Sequence, residues 1–248
     1  MKYNFFAYMA RMKLIKRWSL MKSVTEENIA EHSAQVAQIA HALALIKNKY
    51  FGGELNADRV ATMALYHETS EVLTGDLPTP IKYYNPEIKQ AYKDIEHISN
   101  NKLISMLPDE LQGEYRELIE EREGSYERML VKAADKISAY IKCIEEMRSG
   151  NREFAKAEQS LKKAVEAYFC HEEIKYFCEK FLDSFKKTLD ELEYKGDYYG
   201  IRYSDVPPAR HSKDRLRKRD PCRCRDRLQK DINGRSFRKY SRKDKGFG

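Results

Sequence analysis

The chain has 248 residues, enough for one large or two small domains, and although 42% of them are hydrophobic, no run approaches the roughly eighteen apolar residues of a membrane span. Five irregularly spaced cysteines exclude a disulfide framework, and the first residues lack a signal-peptide cleavage site, so we expect a reducing, cytoplasmic location. The net charge of +7 comes from residues 209–248, where 16 Lys or Arg and 5 Asp give +11 and leave −4 for the remainder.

Helical periodicity governs the first two hundred residues, without β-alternation or internal repeats. Ser23 and Glu26 have the spacing of a capping box, which predicts a helix at about 26–47. Asn56 is expected to cap the next helix, and Gly75 to end it. Further helices are predicted at 86–106, 108–122, 126–148, 152–169 and 171–193. The predicted fold class is therefore all-α.

The composition changes near residue 196, and this change predicts a domain boundary. We predict one helical domain at 1–195, followed at 196–248 by a Gly- and Pro-containing linker and a basic, disordered tail. The tail could be a solvated extension without a dedicated role. Alternatively, its cations could contact nucleic acid weakly, with Phe237 and Tyr240 available for stacking.

Several side chains that can bind metals fall on inward-facing helical positions. His32, for example, lies on the same row as Ile29 and Val36. The other candidates are His67 with its neighbour Glu68, and Asp135. Each alone could be structural, since an inward His can be satisfied in a core and an Asp can pair with a nearby Lys. Together they favour a metal site, because such groups are costly to bury without an ion.

The order His32, His67-Glu68, Asp135 resembles the H…HD…D pattern of HD-domain phosphohydrolases, and within them the bacterial 5′-deoxynucleotidases. The similarity covers about residues 3–193, and the SEVLTGDLPTP loop together with Arg17-Trp18 makes it specific. Four segments carry it: KLIKRW at 13–18, EHSAQVAQIAHALA at 31–44, YHETSEVLTGDLPTPIKY at 66–83 and LVKAADKISAYIKCIEE at 130–146. The resemblance implies a single HD-domain helical bundle.

The resemblance also implies a metal centre. One divalent cation would be held by His32, His67, Glu68 and Asp135, of which His32 and Asp135 would also border the substrate. Co²⁺ or Mn²⁺ would be the preferred ion, with Fe, Ni or Zn as alternatives, because two imidazoles and two carboxylates suit these metals. Glu71 would position or deprotonate the attacking water, although from the residues alone it could equally orient a histidine.

The same resemblance assigns the substrate contacts. Arg17 would grip two oxygens of the 5′-phosphate and act in catalysis. Trp18 would press on the sugar and exclude a 2′-hydroxyl, although a lone tryptophan can also be a core residue. Asp76 would accept a hydrogen bond from the 3′-hydroxyl. The nucleoside pocket would be lined by Leu77, Pro78 and Thr79.

The implied activity is the metal-dependent hydrolysis of 5′-deoxyribonucleoside monophosphates to deoxynucleoside and phosphate by a metal-activated water, in a homodimer without membrane contact. Two alternatives remain at this stage. One is hydrolysis of deoxynucleoside triphosphates, and the other is a catalytically impaired domain whose tail binds nucleic acid.

One residue departs from the family pattern, which has Asp at the position of Glu68. The additional methylene moves the carboxylate by about 1.5 Å, whereas metal–ligand distances are held to about 0.2 Å. The backbone could shift to accommodate Glu68, the metal preference could change, or activity could be lost.

Overall fold

The computed structural model describes residues 3–78, 81, 85–120 and 124–192, and within these ranges the chain is helical, without β-strands. The predicted all-α class is therefore confirmed, while the predicted tail at 196–248 lies outside the described residues. None of the described helices is both long and apolar enough to span a membrane. The helices are α1 (Phe5–Met9), α2 (Ile29–Tyr50), α3 (Ala57–Leu65), α4 (Glu71–Thr74), α5 (Pro86–Ile104), α6 (Asp109–Ile119), α7 (Tyr126–Arg148), α8 (Ala155–Glu166), α9 (Glu172–Phe181) and α10 (Leu189–Leu192). Three short 3₁₀ turns lie at Met12–Leu14, Arg152–Phe154 and Leu182–Lys186.

The two longest helices, α2 and α7, form the centre of the hydrophobic core. They pack against each other, α3 and α9 cover α2, and α8 covers α7. Leu43 on α2 and Ile137 and Ile141 on α7 are completely buried. Burying each such side chain stabilises the fold by about 1.5–3 kcal/mol. Because His32 lies on α2 and Asp135 on α7, this packing fixes the distance between them.

Helix α2 begins later than the sequence predicted. Its capping box consists of Asn28, whose side chain accepts a hydrogen bond from the Glu31 backbone N–H at 3.0 Å, and Glu31, whose carboxylate accepts one from the Asn28 N–H at 3.3 Å. The predicted capping box of Ser23 and Glu26 is therefore wrong. The amide groups that follow Ser23 are instead bonded to α7, as described below.

The helix predicted to run from Asn56 to Gly75 is interrupted. Asn56 does cap α3, and Gly75 does end α4 with a φ of 72°. Between them, α3 ends at Leu65 and residues 66–70 form turns. The Thr69 hydroxyl donates to the Tyr66 carbonyl at 2.6 Å, and this local bond competes with a continuous helix.

The long helix predicted at 171–193 is also interrupted. It consists of α9, a 3₁₀ turn and α10, with Lys187 in an extended conformation between the last two. The apolar residues of this segment recur at helical spacing and would form one face of a continuous helix. Two of them, Phe181 and Leu189, are exposed. The Ser184 hydroxyl also donates a hydrogen bond to the Phe181 carbonyl at 2.6 Å. The face therefore lacks the buried contacts that would stabilise one helix.

Residues 15–28 form a loop that leaves the first 3₁₀ turn and returns to α2, and we call it the 15–28 loop. Its two arms are joined by backbone hydrogen bonds. The Arg17 N–H donates to the Glu27 carbonyl at 2.9 Å, and the Ile29 N–H donates to the Ile15 carbonyl at 3.0 Å. The loop is thus closed at its base, beside the first turn of α2.

The outer turn of this loop is tied to α7 by the buried carboxylate of Glu146. That carboxylate accepts hydrogen bonds from the backbone N–H groups of Val24 and Thr25 at 2.8 and 3.1 Å. It also accepts bonds from the Lys142 ammonium at 2.6 Å and the Asn151 amide at 2.8 Å. Burial opposes the negative charge, but these donors outweigh it and lower the pKa of Glu146 to about 2.

Replacing Glu146 by Gln is expected to lower the free energy of unfolding at neutral pH by about 2 kcal/mol, because an amide cannot replace these charge-assisted bonds. The pKa of Glu146 is lower in the folded than in the unfolded state. Its contribution is therefore complete above pH 4.5 and is lost as the pH falls towards about 2. Urea unfolding of both proteins across this range should show the difference shrinking with falling pH.

The matched control is Glu145→Gln, which changes the adjacent, exposed residue of the same helix. Partial desolvation beside the helix raises the pKa of the Glu145 carboxyl group, so neutralising it should cost little stability. A pH-independent difference between wild type and Glu146→Gln would contradict the assigned role of Glu146.

Candidate active site and metal centre

Four predicted ligands converge between α2, α3 and α7. One ligand atom from each of His32, His67, Glu68 and Asp135 lies within 4.8 Å of the other three. The sequence expectation placed His67 inside a helix, but His67 and Glu68 lie in the turn that follows α3. The structure thus brings together side chains from two helices and one turn around a single point.

The hydrogen bonds of His32 determine which of its nitrogens faces this point. The Ser138 hydroxyl donates to the Gln35 side-chain oxygen at 2.6 Å, so its oxygen is the acceptor for His32 Nδ1–H at 3.1 Å. His32 Nε2 then carries a lone pair and faces Asp135 Oδ1 at 3.1 Å. Burial lowers the pKa of His32 and favours this neutral form. A cation between these two acceptors would relieve their repulsion.

His67 presents the same kind of nitrogen. Its Nδ1 lies 2.7 Å from the Ala64 carbonyl, which can only accept, so Nδ1 carries the proton. Its Nε2 is buried and has no hydrogen-bond partner among the described residues, although Glu68 Oε1 lies 3.4 Å away. A buried acceptor without a donor is costly. Two such nitrogens beside two carboxylates therefore fit a divalent cation.

The two carboxylates of the cluster are ionised despite their burial. Burial raises the pKa of Glu68, but the positive charge of Arg17 and a hydrogen bond with Glu71 outweigh it, so that the net pKa is lowered. Burial likewise opposes the charge of Asp135, yet the Lys136 ammonium at 2.9 Å holds its pKa well below its usual range. Both groups are thus prepared to bind a cation.

Arg17 and Trp18 border the cluster from the 15–28 loop. Arg17 Nη1 lies 4.0 Å from Glu68 Oε1. Burial lowers the pKa of Arg17, but surrounding carboxylates, with Asp135 and Glu27 foremost, more than compensate and raise it. The Trp18 ring packs against Phe154 with 5.3 Å between ring centroids. A permanent cation and an aromatic ring therefore stand next to the ligand cluster.

The remaining predicted residues follow His67 along the chain. Glu71 is buried at the start of α4 and hydrogen-bonds with Glu68. Asp76 lies near enough to Arg17 for its charge to raise the pKa of the guanidinium. Leu77 and Pro78 are partly buried, whereas Thr79 lies outside the described residues.

A cavity of about 130 Å³ opens beside the cluster, between α3, α6 and α7. Two of the ligands, His67 and Asp135, contribute to its wall. Two cationic side chains of α7, Arg128 and Lys132, line it as well. The metal centre is therefore accessible to a small molecule on this side.

Sequence reasoning missed two residues of this site. Ser138 orients His32, and the Glu27 carboxylate accepts hydrogen bonds from Arg17 and Trp18. Ser138 lies three residues after Asp135 and so falls on the same helical face, which was a readable signal. Glu27 carried no such signal, because it belongs to a loop.

Comparisons with a family model and with related proteins agree on one family. A family model described as 5′-deoxynucleotidase YfbR-like matches residues 4–185. A 5′-deoxynucleotidase of Vibrio vulnificus is 55% identical over 190 residues, which are 76% of this chain and 97% of the relative. The 5′-deoxynucleotidase YfbR of Escherichia coli is 53% identical over 190 residues, covering 76% and 95% of the two chains.

Solved structures share the fold. An HD-domain phosphohydrolase from Listeria innocua has a TM-score of 0.66 and 25% identity, with 74% of this chain and 88% of that chain covered. The HD phosphohydrolase DatZ of cyanophage S-2L, solved with dA and one catalytic Zn²⁺, has a TM-score of 0.53 and 20% identity, covering 72% and 96%. At that identity the second similarity concerns the fold alone.

The orientation of His32 by Ser138 has a measurable consequence. Ser138→Ala is expected to weaken Co²⁺ binding about tenfold, because the imidazole then loses the acceptor that holds Nδ1–H and directs Nε2 to the ion. Titration calorimetry with Co²⁺ measures the effect. The control is Ser33→Ala, which removes a buried α2 hydroxyl that has no hydrogen-bond partner among the described residues. Equal Co²⁺ affinities of the two variants would contradict the role of Ser138.

Proposed function

The chain belongs to the YfbR-like family of HD-domain 5′-deoxynucleotidases, and we propose that its His32, His67, Glu68 and Asp135 hold the divalent cation with which it hydrolyses 5′-deoxyribonucleoside monophosphates. The observation that carries the proposal is the convergence of these four ligands within 4.8 Å beside the partly buried Arg17. The products are a deoxynucleoside and inorganic phosphate.

The proposed cation is Co²⁺ or Mn²⁺, and the mixed imidazole and carboxylate ligands support this choice. When bound, such a cation supplies a Lewis acid that draws charge from phosphate oxygens and acidifies a water. Neutral His32 and ionised Asp135 and Glu68 need no change of protonation to bind it, because their pKa values are already shifted in the required directions.

Arg17 is proposed to bind the 5′-phosphate, and Glu71 to position or deprotonate the attacking water. The guanidinium is permanently charged and lies 4.0 Å from Glu68, so a phosphate held by Arg17 would adjoin the metal ligands. There the positive charge stabilises the negative charge that develops on phosphorus-bound oxygens. Glu71 is buried beside Glu68, which supports a role near the same phosphate.

Trp18 is proposed to exclude the 2′-hydroxyl of a ribonucleotide, and Asp76 to accept a hydrogen bond from the 3′-hydroxyl. Both residues lie close to Arg17. Trp18 follows it in the chain, and the charge of Asp76 contributes to the raised pKa of the guanidinium. His32 and Asp135 would border the phosphate as well as the metal. The pocket for the nucleoside would be lined by Leu77, Pro78 and Thr79.

The position of Glu68 supports activity despite its additional methylene. Because α3 ends at Leu65, Glu68 belongs to a turn rather than to the regular hydrogen-bond ladder of a helix. A turn can shift its backbone without breaking the hydrogen bonds of the helix before it. We therefore propose that Glu68 serves as a ligand in this chain.

We further propose a cytoplasmic homodimer whose catalytic domain ends near residue 195. Free thiols at Cys143, Cys170 and Cys178 support a reducing location. The dimer rests on the family resemblance, and light scattering after size-exclusion chromatography measures it.

The function is tested by adding dAMP and AMP in parallel to the Co²⁺- or Mn²⁺-loaded protein and measuring phosphate. We expect release from dAMP, much slower release from AMP, and a loss of at least a hundredfold in kcat for Glu71→Gln, the range typical of general acid–base groups. The control Glu54→Gln changes an exposed residue and should retain activity.

Other reaction products would change or contradict the proposed monophosphate hydrolysis. Release of triphosphate from dATP would indicate a triphosphate hydrolase. No phosphate from dAMP with either wild type or Glu68→Asp would remove the enzymatic function, and equal rates with AMP would remove the role of Trp18.

The proposed domain division has its own test. A chain that ends after residue 195 should keep the kcat/KM of the full chain for dAMP, because every proposed site residue precedes that point. Loss of hydrolysis in the truncated chain, with an unchanged melting temperature, would contradict the division. Salt-sensitive DNA binding by the full chain alone would assign a role to the tail.

A further inference from the structure

We propose that Glu27 is a positioning residue that sets both the grip of Arg17 on phosphate and the preference of Trp18 for deoxyribose. The inference rests on the proposed function and deepens it. One oxygen of this carboxylate, Oε2, accepts hydrogen bonds from two neighbouring side chains: Arg17 Nε at 3.2 Å and Trp18 Nε1 at 2.8 Å. A single atom therefore links the two side chains that would contact phosphate and sugar.

The contact with Arg17 directs its guanidinium. Glu27 engages Nε, the nitrogen nearest the chain, and its backbone carbonyl accepts the Arg17 N–H at 2.9 Å. The other end of the guanidinium points towards the metal ligands, with Nη1 4.0 Å from Glu68 Oε1. A guanidinium fixed through Nε keeps its terminal nitrogens in a constant plane, which bidentate binding of a phosphate requires.

The contact with Trp18 fixes the plane of the indole ring. Trp18 has a φ of 58°, a conformation that costs an L-residue about 1–2 kcal/mol and needs compensating contacts. Phe154 contacts one side of the ring, and Glu27 holds its only hydrogen-bond donor. Without Glu27, the ring could turn about its side-chain bonds and leave room for a 2′-hydroxyl.

The second oxygen of Glu27 lies near His32, a proposed metal ligand. Oε1 lies 3.8 Å from His32 Nδ1, the nitrogen opposite the metal-facing Nε2. The Glu27 side chain is only 12% exposed, so these contacts are little weakened by water. One carboxylate thus connects the residues proposed for phosphate, sugar and metal binding.

Two substitutions separate positioning from simple folding. Glu27→Gln keeps an oxygen that can accept from both donors but removes the charge, whereas Glu27→Ala removes both. The matched control is Glu26→Ala, because the neighbouring Glu26 side chain is 73% exposed and forms an ion pair with the exposed Lys16 at 2.6 Å.

Kinetics with dAMP and AMP should distinguish the variants. For Glu27→Ala we expect kcat/KM for dAMP to fall about tenfold, and the ratio of AMP to dAMP activity to rise about tenfold, the effect of one lost hydrogen bond. Compared with Glu27→Ala, Glu27→Gln should keep most of the preference for dAMP over AMP. Its kcat/KM for dAMP should still be lower than that of the wild type. Glu26→Ala should match the wild type in both measurements.

A second measurement does not need activity, because Trp18 is the single tryptophan of the chain. Its fluorescence therefore reports on this ring alone. Glu27→Ala should shift the emission maximum to longer wavelength and increase quenching by acrylamide, while Glu26→Ala should leave both unchanged. Wild-type melting temperature in the variants would show that the fold is intact.

The outcomes separate this inference from the proposed function. An inactive wild type with the expected fluorescence changes would remove the function but keep the contact between Glu27 and Trp18. An active wild type whose sugar preference and fluorescence both survive Glu27→Ala would overturn the inference. A fall in activity with unchanged sugar preference would likewise overturn the role of Glu27 in selectivity.

Discussion

Two imidazoles, two carboxylates and one guanidinium lie together at the junction of α2, α3 and α7, and the site depends on the balance between the charges of these buried and partly buried groups. Any one of them would be costly in isolation. The charges of Arg17 and Lys136 keep the acids ionised, and burial keeps His32 neutral. This balance favours a divalent ion, because a cation removes the remaining repulsion between His32 Nε2 and Asp135 Oδ1.

The parts of this arrangement that follow helical periodicity could be predicted from the sequence. The all-α class and the positions of α5 and α7 follow from regular apolar rows. His32 and Asp135 lie on such rows, so their inward direction was also readable. His67 and its neighbour Glu68 were candidates for the same reason, but only the family resemblance implied that the four side chains share one ion, because their convergence depends on how three separate segments pack.

Other features were not predictable, because they depend on long-range contacts. Ser23 and Asn28 both have the chemistry of a helix cap, and only the Glu146 bonds to Val24 and Thr25 explain why the later residue is used. The end of α3 at Leu65 has a different, local origin, a turn that apolar spacing does not reveal. Glu27 escaped notice because its partners meet it through the folding of a loop.

Helix α7 has a consequence of its own, because it carries both Asp135 and Glu146. Their separation along a regular helix is about 16 Å, at 1.5 Å per residue. One end of this span carries Asp135, a proposed metal ligand, and the other holds the loop that bears Arg17 and Trp18. The helix therefore sets the distance between Asp135 and the outer turn of the loop that bears Arg17 and Trp18. An inserted or deleted residue within it would rotate one end by about 100° relative to the other, so substitutions are compatible with this span but changes of length are not.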